Sequence, residues 1–265
     1  MLIENIISFV ARKKNQQYLK FSPGVSYSLP ARKADTIPFL LYLHVPFCEE
    51  LCPYCSFHRI GFREDLTRAY FKALRKEIVM YKDQGYDFQA LYIGGGTPTV
   101  LIDELSATIE LIRKTFSVTE ISVETNPNHL SDRNMDTLKE VGVNRLSVGV
   151  QTFNDDLLKA MERYHKYGSG SEIADRLLSL RGYFDTLNVD MIFNFPTQTR
   201  QMLEEDLSVL LKLQADQITY YPLMVSASTQ NVMGKKLGMI NYDRGNDFYD
   251  VITGALREEY RASTA

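Results

Sequence analysis

The sequence predicts an α/β fold: an open, partial (β/α)6 barrel of parallel strands, preceded by an N-terminal helical extension. Three observations carry this. Apolar segments alternate between short β-like runs and longer stretches of helical spacing. The six β-like runs are near-continuously apolar, as parallel strands buried on both faces are. Polar or glycine residues stand at the ends of five consecutive runs, where parallel α/β folds build their chemistry. A doubly wound sheet is the rival arrangement and places the site at the same strand ends.

Residues 1–36 form the extension. Leu2, Ile3, Ile6, Ile7 and Val10 make one apolar stripe, followed by the basic Ala11-Arg12-Lys13-Lys14. The stripe predicts a helix packed across the barrel; a lid or partner-docking helix is the sharper reading. With no basic start and no small-residue cleavage site, the segment does not read as a signal peptide.

The core is expected over residues 37–225. The first strand, Phe39–Val45, runs into His44 and Cys48. A helical pattern through Leu66, Tyr70, Ala73, Leu74, Ile78 and Tyr81 ends at Gly85. The second strand, Ala90–Gly95, runs into Gly94-Gly95-Gly96-Thr97, and the spacing of Leu105, Ile109, Ile112 and Phe116 predicts the next helix. The third strand, Glu120–Thr125, delivers Glu124, Thr125 and Asn126 before a helix over 131–141 with Ser131 as N-cap. The fourth, Asn144–Val150, delivers Gln151, and a helix follows over 171–180. The fifth, Leu187–Phe193, carries Asp190 inside an apolar run and precedes a helix over 200–213. The sixth, Gln217–Leu223, ends at Tyr221-Pro222-Leu223-Met224. Residues 226–265 read as a C-terminal extension, with a glycine-bearing loop at 233–239 and a helix through Phe248, Val251, Ile252, Ala255, Leu256 and Tyr260. It stops without a cap or turn, as if cut before a further segment.

Composition narrows the function. The chain has 45% hydrophobic and 24% charged residues and a net charge of −3, which argues against a nucleic-acid binder held by phosphate contacts. No apolar run approaches the roughly 18 residues of a membrane span. All three cysteines, Cys48, Cys52 and Cys55, fall within "HVPFCEELCPYCSF". An odd number at such close spacing cannot make a disulfide framework; metal-ligating thiolates in a reducing cytoplasm fit better.

Two metal readings follow. A structural zinc takes four ligands, and His58 could complete a Cys3His set. A [4Fe–4S] cluster bound by three thiolates instead keeps one iron open for a ligand. Gly94-Gly95-Gly96 lets backbone approach a ligand closely, but a phosphate loop is excluded by the missing Gly-Lys-Ser/Thr. Glu124 and Asp190 are carboxylates where buried strands seldom carry charge. They suit an amino group and ribose hydroxyls, unless an ion pair with Arg145 accounts for one of them. His44 and His165 read as supporting rather than catalytic.

"YLHVPFCEELCPYC", "GGGTPT", "ETNP", "NRLSVGVQTFND" and "VDMIFNFPTQT" occur here in this order. From Phe39 to Met224 the chain resembles radical S-adenosylmethionine (SAM) enzymes, specifically the oxygen-independent coproporphyrinogen III oxidase family and its heme-chaperone relatives (HemN- and HemW-like). The resemblance implies a radical SAM barrel in which Cys48, Cys52 and Cys55 hold the cluster and its open iron takes the methionyl amine and carboxylate. It implies Tyr42 at the methionine end, Tyr54 beside the adenine, and Gly95, Gly96 and Thr97 lining the methionine with backbone groups. Glu124 and Gln151 would bond the cofactor's polar atoms and Asp190 the ribose. Arg163 would contact the cofactor, and Ile192 and Met224 would pack around the adenosine. One electron from the reduced cluster would then break the C5′–S bond, and the 5′-deoxyadenosyl radical would abstract a hydrogen.

An electron donor of flavodoxin or ferredoxin type and a porphyrin-like, heme-like or other aromatic substrate are the implied partners. The pattern departs at Phe57, where coproporphyrinogen oxidases of the family carry a fourth cysteine. That form looks closer to the heme-chaperone branch, or to relatives that transfer methyl groups. Those relatives bind two SAM molecules, and Gly96-Thr97 could border the second. The family's C-terminal domain is expected to be missing from these residues.

Overall fold

The computed structural model describes residues 39–225 and 229–260, together with Val10, Lys13, Ala31 and Arg32. The expected N-terminal amphipathic helix otherwise lies outside the described residues. In chain order the elements are β1 (Phe39–Val45), β2 (Phe47–Cys48), β3 (Ile60–Gly61), α1 (Glu64–Asp83), β4 (Phe88–Gly95), α2 (Ile102–Thr115), β5 (Glu120–Thr125) and α3 (Asp132–Glu140). There follow β6 (Arg145–Gln151), α4 (Asp155–Ala160), α5 (Tyr164–Tyr167), α6 (Gly170–Ser179), β7 (Thr186–Phe193), α7 (Arg200–Leu213), β8 (Gln217–Pro222), α8 (Gln230–Lys236) and α9 (Arg244–Leu256).

Six strands form one sheet in the order β1-β4-β5-β6-β7-β8, every neighbouring pair parallel. The order never reverses, so there is no switch point and the doubly wound alternative falls. Crossovers between successive parallel neighbours, right-handed as a rule, carry helices whose apolar residues share one core with one face of the sheet. β1 and β8 are the outer strands of this sheet, so the barrel is partial, as expected.

Only one face of the sheet is apolar, which corrects the expectation of strands buried in hydrocarbon on both sides. Leu41, Leu43 and Val45 of β1, Leu91 and Ile93 of β4, and Val148 and Val150 of β6 are buried in one core with Phe71, Ile78, Ile109 and Ile112 of the helices. The alternate positions, which point the opposite way, carry Tyr42, His44, Tyr92, Ser122, Glu124, Arg145, Ser147, Asn188 and Asp190. The lumen is polar.

Local chemistry accounts for the helix starts. Ser131 Oγ accepts from Asn134 N and caps α3, as expected, and Ser169 with Glu172 forms a reciprocal capping box on α6. The expected loop at 233–239 is instead largely helical, in α8. Met233 and Leu237 are buried, and that packing outweighs the roughly 1 kcal/mol that Gly234 costs inside a helix. Gly238, at φ +93°, follows the helix end. On the barrel's outside, the buried Asp206 of α7 accepts from Thr152 Oγ1 and Phe153 N, both at 2.7 Å. This pins the segment that leaves β6 just after Gln151, whose backbone is left-handed at φ +78°.

Candidate functional site

The cysteine loop leaves β1 at the C-terminal end of the sheet. It is closed at its base by the β2–β3 pair, with Ile60 N donating to Pro46 O and Phe62 N to Cys48 O, each at 2.8 Å. Inside the loop Cys55 N donates to Cys52 O at 3.3 Å, and Arg59 donates to the same carbonyl. Glu49 ties the loop outward. It accepts from Asn128 at 3.0 Å and lies 3.3 Å from His129 Nε2 and 2.9 Å from Lys166 Nζ. The His129 contact, then Lys166, holds the Glu49 carboxyl well below the usual carboxylate range. His129 Nδ1 in turn meets Thr99 Oγ1 at 2.6 Å, and Thr99 meets Thr125 at 2.7 Å.

Three thiols therefore sit in one fixed loop. Burial pushes the Cys48 and Cys55 thiols up, and the neighbouring cysteines push the same way. Three thiolates together repel one another unless a cationic group binds among them. Among the described residues no three His, Cys, Asp or Glu side chains converge tightly enough to hold a single metal ion. A structural zinc would need its ligands to close on one atom, whereas the thiolates of a polynuclear cluster each bind a different iron.

The Gly94–Gly96 turn presses directly on this loop. A Cβ on Gly94 would lie 2.8 Å from the Glu124 carboxylate, on Gly95 2.9 Å from the His44 ring, and on Gly96 2.9 Å from Cys48 Sγ. Its amides are already engaged: Gly95 N donates to Glu124, Gly96 N to Val45 O and Thr97 N to Phe47 O. What the turn can offer a ligand is carbonyl oxygen.

In the lumen, Glu124 accepts from Tyr92 Oη at 2.7 Å and from Gly95 N at 3.1 Å. Asp190 accepts from Ser147 Oγ at 2.6 Å and Asn188 Nδ2 at 2.9 Å, and burial pushes its carboxyl up to about 6. The ion pair with Arg145 is not what holds either carboxylate. Arg145 donates to Ser122 Oγ at 2.8 Å and Gln217 Oε1 at 2.9 Å, towards the other end of the barrel. Tyr42 is 50% exposed and its hydroxyl meets His44 Nδ1 at 3.1 Å; His44 Nε2 meets His58 O at 3.0 Å. Ile192 shares the lumen face by strand alternation; the register is irregular between Gly149 and Gln151, and Gln151 Nε2 reaches back to within 3.1 Å of where a Cβ on Gly149 would lie.

The expected site residues thus fall into two groups. Tyr42, Glu124, Gln151, Asp190 and Ile192 line the lumen, whereas Tyr54, Gly96, Thr97 and Arg163 pack around the cysteine loop. Arg163 is buried, with Nη1 donating to Tyr54 Oη at 3.1 Å and Cys52 Sγ at 3.5 Å, Nη2 donating to Gly149 O, and its guanidinium 4.2 Å from the Tyr167 ring centroid. Met224 is 66% exposed past the end of β8. His165 meets Glu50 at 2.8 Å on the rim of a cleft of about 490 Å³ beside Cys52. A larger cavity, about 1010 Å³, lies between α7 and α9, away from the thiols. Sequence reading missed Tyr92, Ser147 and Asn188, although each stands two residues from a residue that it did single out. It also missed the Glu49–His129 tie, for which no local pattern exists.

Comparison with known proteins bears on this arrangement. Residues 42–210 match the model of the Radical SAM superfamily. The chain is 34% identical over 225 residues to "Heme chaperone HemW" of Bacillus subtilis (strain 168), covering 81% of this chain and 59% of that protein. It is 34% identical over 189 residues to "Oxygen-independent coproporphyrinogen III oxidase" of Paracoccus denitrificans (strain Pd 1222), covering 68% of this chain and 42% of that protein. The coproporphyrinogen III oxidase (HemN) structure from Escherichia coli superposes with a TM-score of 0.74 at 27% identity, covering 83% of this chain and 52% of that one. The chain thus spans about half the length of these relatives. Membership implies a [4Fe–4S] cluster and SAM. Three thiols on one short loop, hydrogen-bond donors aimed at two of them, and a polar lumen beside them fit both groups. The chain belongs to the radical SAM superfamily and, within it, to the HemN- and HemW-like kind.

Proposed function

We propose that the chain is the catalytic core of a radical SAM enzyme acting on a porphyrin- or heme-like ring, with Cys48, Cys52 and Cys55 holding the cluster. The observation that carries this is the placement of a polar lumen, with Glu124 and Asp190, beside the loop that carries all three thiols, the Gly94–Gly96 turn lying against both Glu124 and Cys48 Sγ. When bound, the cluster and SAM together supply a 5′-deoxyadenosyl radical for hydrogen abstraction. The protein's part is to bind, orient and exclude water. Carbonyl oxygens of the Gly94–Gly96 turn and the Glu124 carboxylate suit an ammonium, and Asp190 suits vicinal hydroxyls. Tyr54 and Arg163 stiffen the loop from behind. Exposed Tyr42, Tyr221, Met224 and the 74% exposed Phe57 offer apolar surface to a flat ring at the rim. A flavodoxin- or ferredoxin-type donor would supply electrons, in a reducing cytoplasm.

The second reading is a heme chaperone. Phe57 standing at the oxidases' fourth-cysteine position supports it, as does the length of the match to proteins named HemW. Anaerobic reconstitution should give absorbance near about 400 nm and about four irons per chain under either reading; colourless protein with one zinc overturns both. With dithionite and SAM, 5′-deoxyadenosine that increases with added porphyrin or heme favours the enzyme. Tight heme binding without turnover favours the chaperone.

A further inference from the structure

The side chain of Thr97 addresses a cysteine rather than the lumen. Its Oγ1 lies 3.7 Å from Cys48 Sγ and accepts a hydrogen bond from Asn126 Nδ2 at 2.8 Å. Because the Asn126 amide nitrogen can only donate, the single hydroxyl proton of Thr97 is left for the sulfur. The geometry is fixed on every side. Thr97 is 1% exposed, its amide is bound to Phe47 O, and Gly96 is bare of a side chain against the same sulfur. Asn126 comes from the end of β5, so a separate strand sets the direction of this bond.

We infer that Thr97, oriented by Asn126, donates a hydrogen bond to the Cys48 thiolate and thereby raises the reduction potential of the bound cluster. The inference rests on the proposed cluster reading and gives Thr97 and Asn126 a tuning role. Reduction adds negative charge to a centre already carrying three thiolates. A donor on a ligand sulfur stabilises the more negative state more, which makes the electron easier to accept. Arg163 Nη1, 3.5 Å from Cys52 Sγ, acts on a second corner in the same sense.

The test is a potentiometric titration of the anaerobically reconstituted full chain without SAM, followed by visible absorbance and by electron paramagnetic resonance of the reduced state. Thr97→Val keeps the shape and removes the donor. It is expected to lower the one-electron reduction equilibrium constant about tenfold, or about 59 mV, while Thr97→Ser stays near the parent. An unshifted Thr97→Val, or a Thr97→Ser shifted equally far, overturns the inference while leaving the cluster reading intact. If Thr97→Val takes up no iron, Asn126→Ala decides: a shift in the same direction supports the tuning, and none overturns it. A parent chain that binds no cluster overturns both readings together.

Discussion

Asp206 gives the protein a pH-dependent stability that can be worked from its surroundings. The carboxyl is 1% exposed and, among the described residues, accepts from the Thr152 hydroxyl and the Phe153 amide. Burial pushes it up to about 7, against roughly 3.9 in an unfolded chain. The folded state therefore holds this proton more tightly than the unfolded state. The contribution to stability is complete below about pH 4 and is lost as pH rises towards about 7. At 1.36 kcal/mol per unit, the full span is up to ~4 kcal/mol. Asp206→Asn imitates the protonated acid and removes the dependence. Urea midpoints for parent and variant between pH 4 and pH 8 isolate this group, because every other titration is common to both. The two curves should meet near pH 4 and diverge steadily towards neutral pH, the variant becoming the more stable. Parallel curves across the range would refute the argument that burial dominates this carboxyl.

Gly170→Ala should prevent normal folding or cost more than about 3 kcal/mol, because its Cβ would lie 1.7 Å from Phe153 O; thermal denaturation reads this directly. Ser169→Ala removes one half of the α6 capping box and should cost about 1 kcal/mol in the same assay. Arg163→Lys keeps the charge but loses the fork that joins Tyr54, Cys52 and Gly149. Iron retained after chelator challenge should fall severalfold. Asp190, pushed up to about 6 by burial, loses its negative charge as pH falls through that value. SAM affinity measured by calorimetry should therefore weaken below about pH 6 in the parent and stay level in Asp190→Asn.

Much of this architecture could be read from spacing alone. Short, near-continuous apolar runs located all six main strands, although they suggested burial in hydrocarbon on both faces; the two-residue β2 and β3 are too short to carry any pattern. The helices from α1 to α7 that exceed eight residues follow their apolar stripes closely. Polarity inside the barrel was harder to see, because Tyr92, Ser147 and Asn188 sit among apolar neighbours and only strand pairing shows that they share a face with Glu124 and Asp190. The loop at 233–239 misled because Gly234 suggests a turn when long-range burial of Met233 and Leu237 is invisible. Arg145 misled in the opposite way. It is close in sequence to the site but sits at the start of its strand, where Ser122 and Gln217 meet it. The ties of Glu49 to His129 and of Thr97 to Asn126 join separate strand ends, and no one-dimensional pattern encodes them.

The three glycines between Ile93 and Thr97 leave a single thickness of backbone between a carboxylate, an imidazole and a cysteine sulfur. A methyl group there has nowhere to go without displacing one of the three, so this junction is closed to gradual remodelling. Under the proposed function, variation in substrate has to arise at exposed positions such as Phe57, Tyr221 and Met224, where side chains can be exchanged without disturbing the cysteine loop.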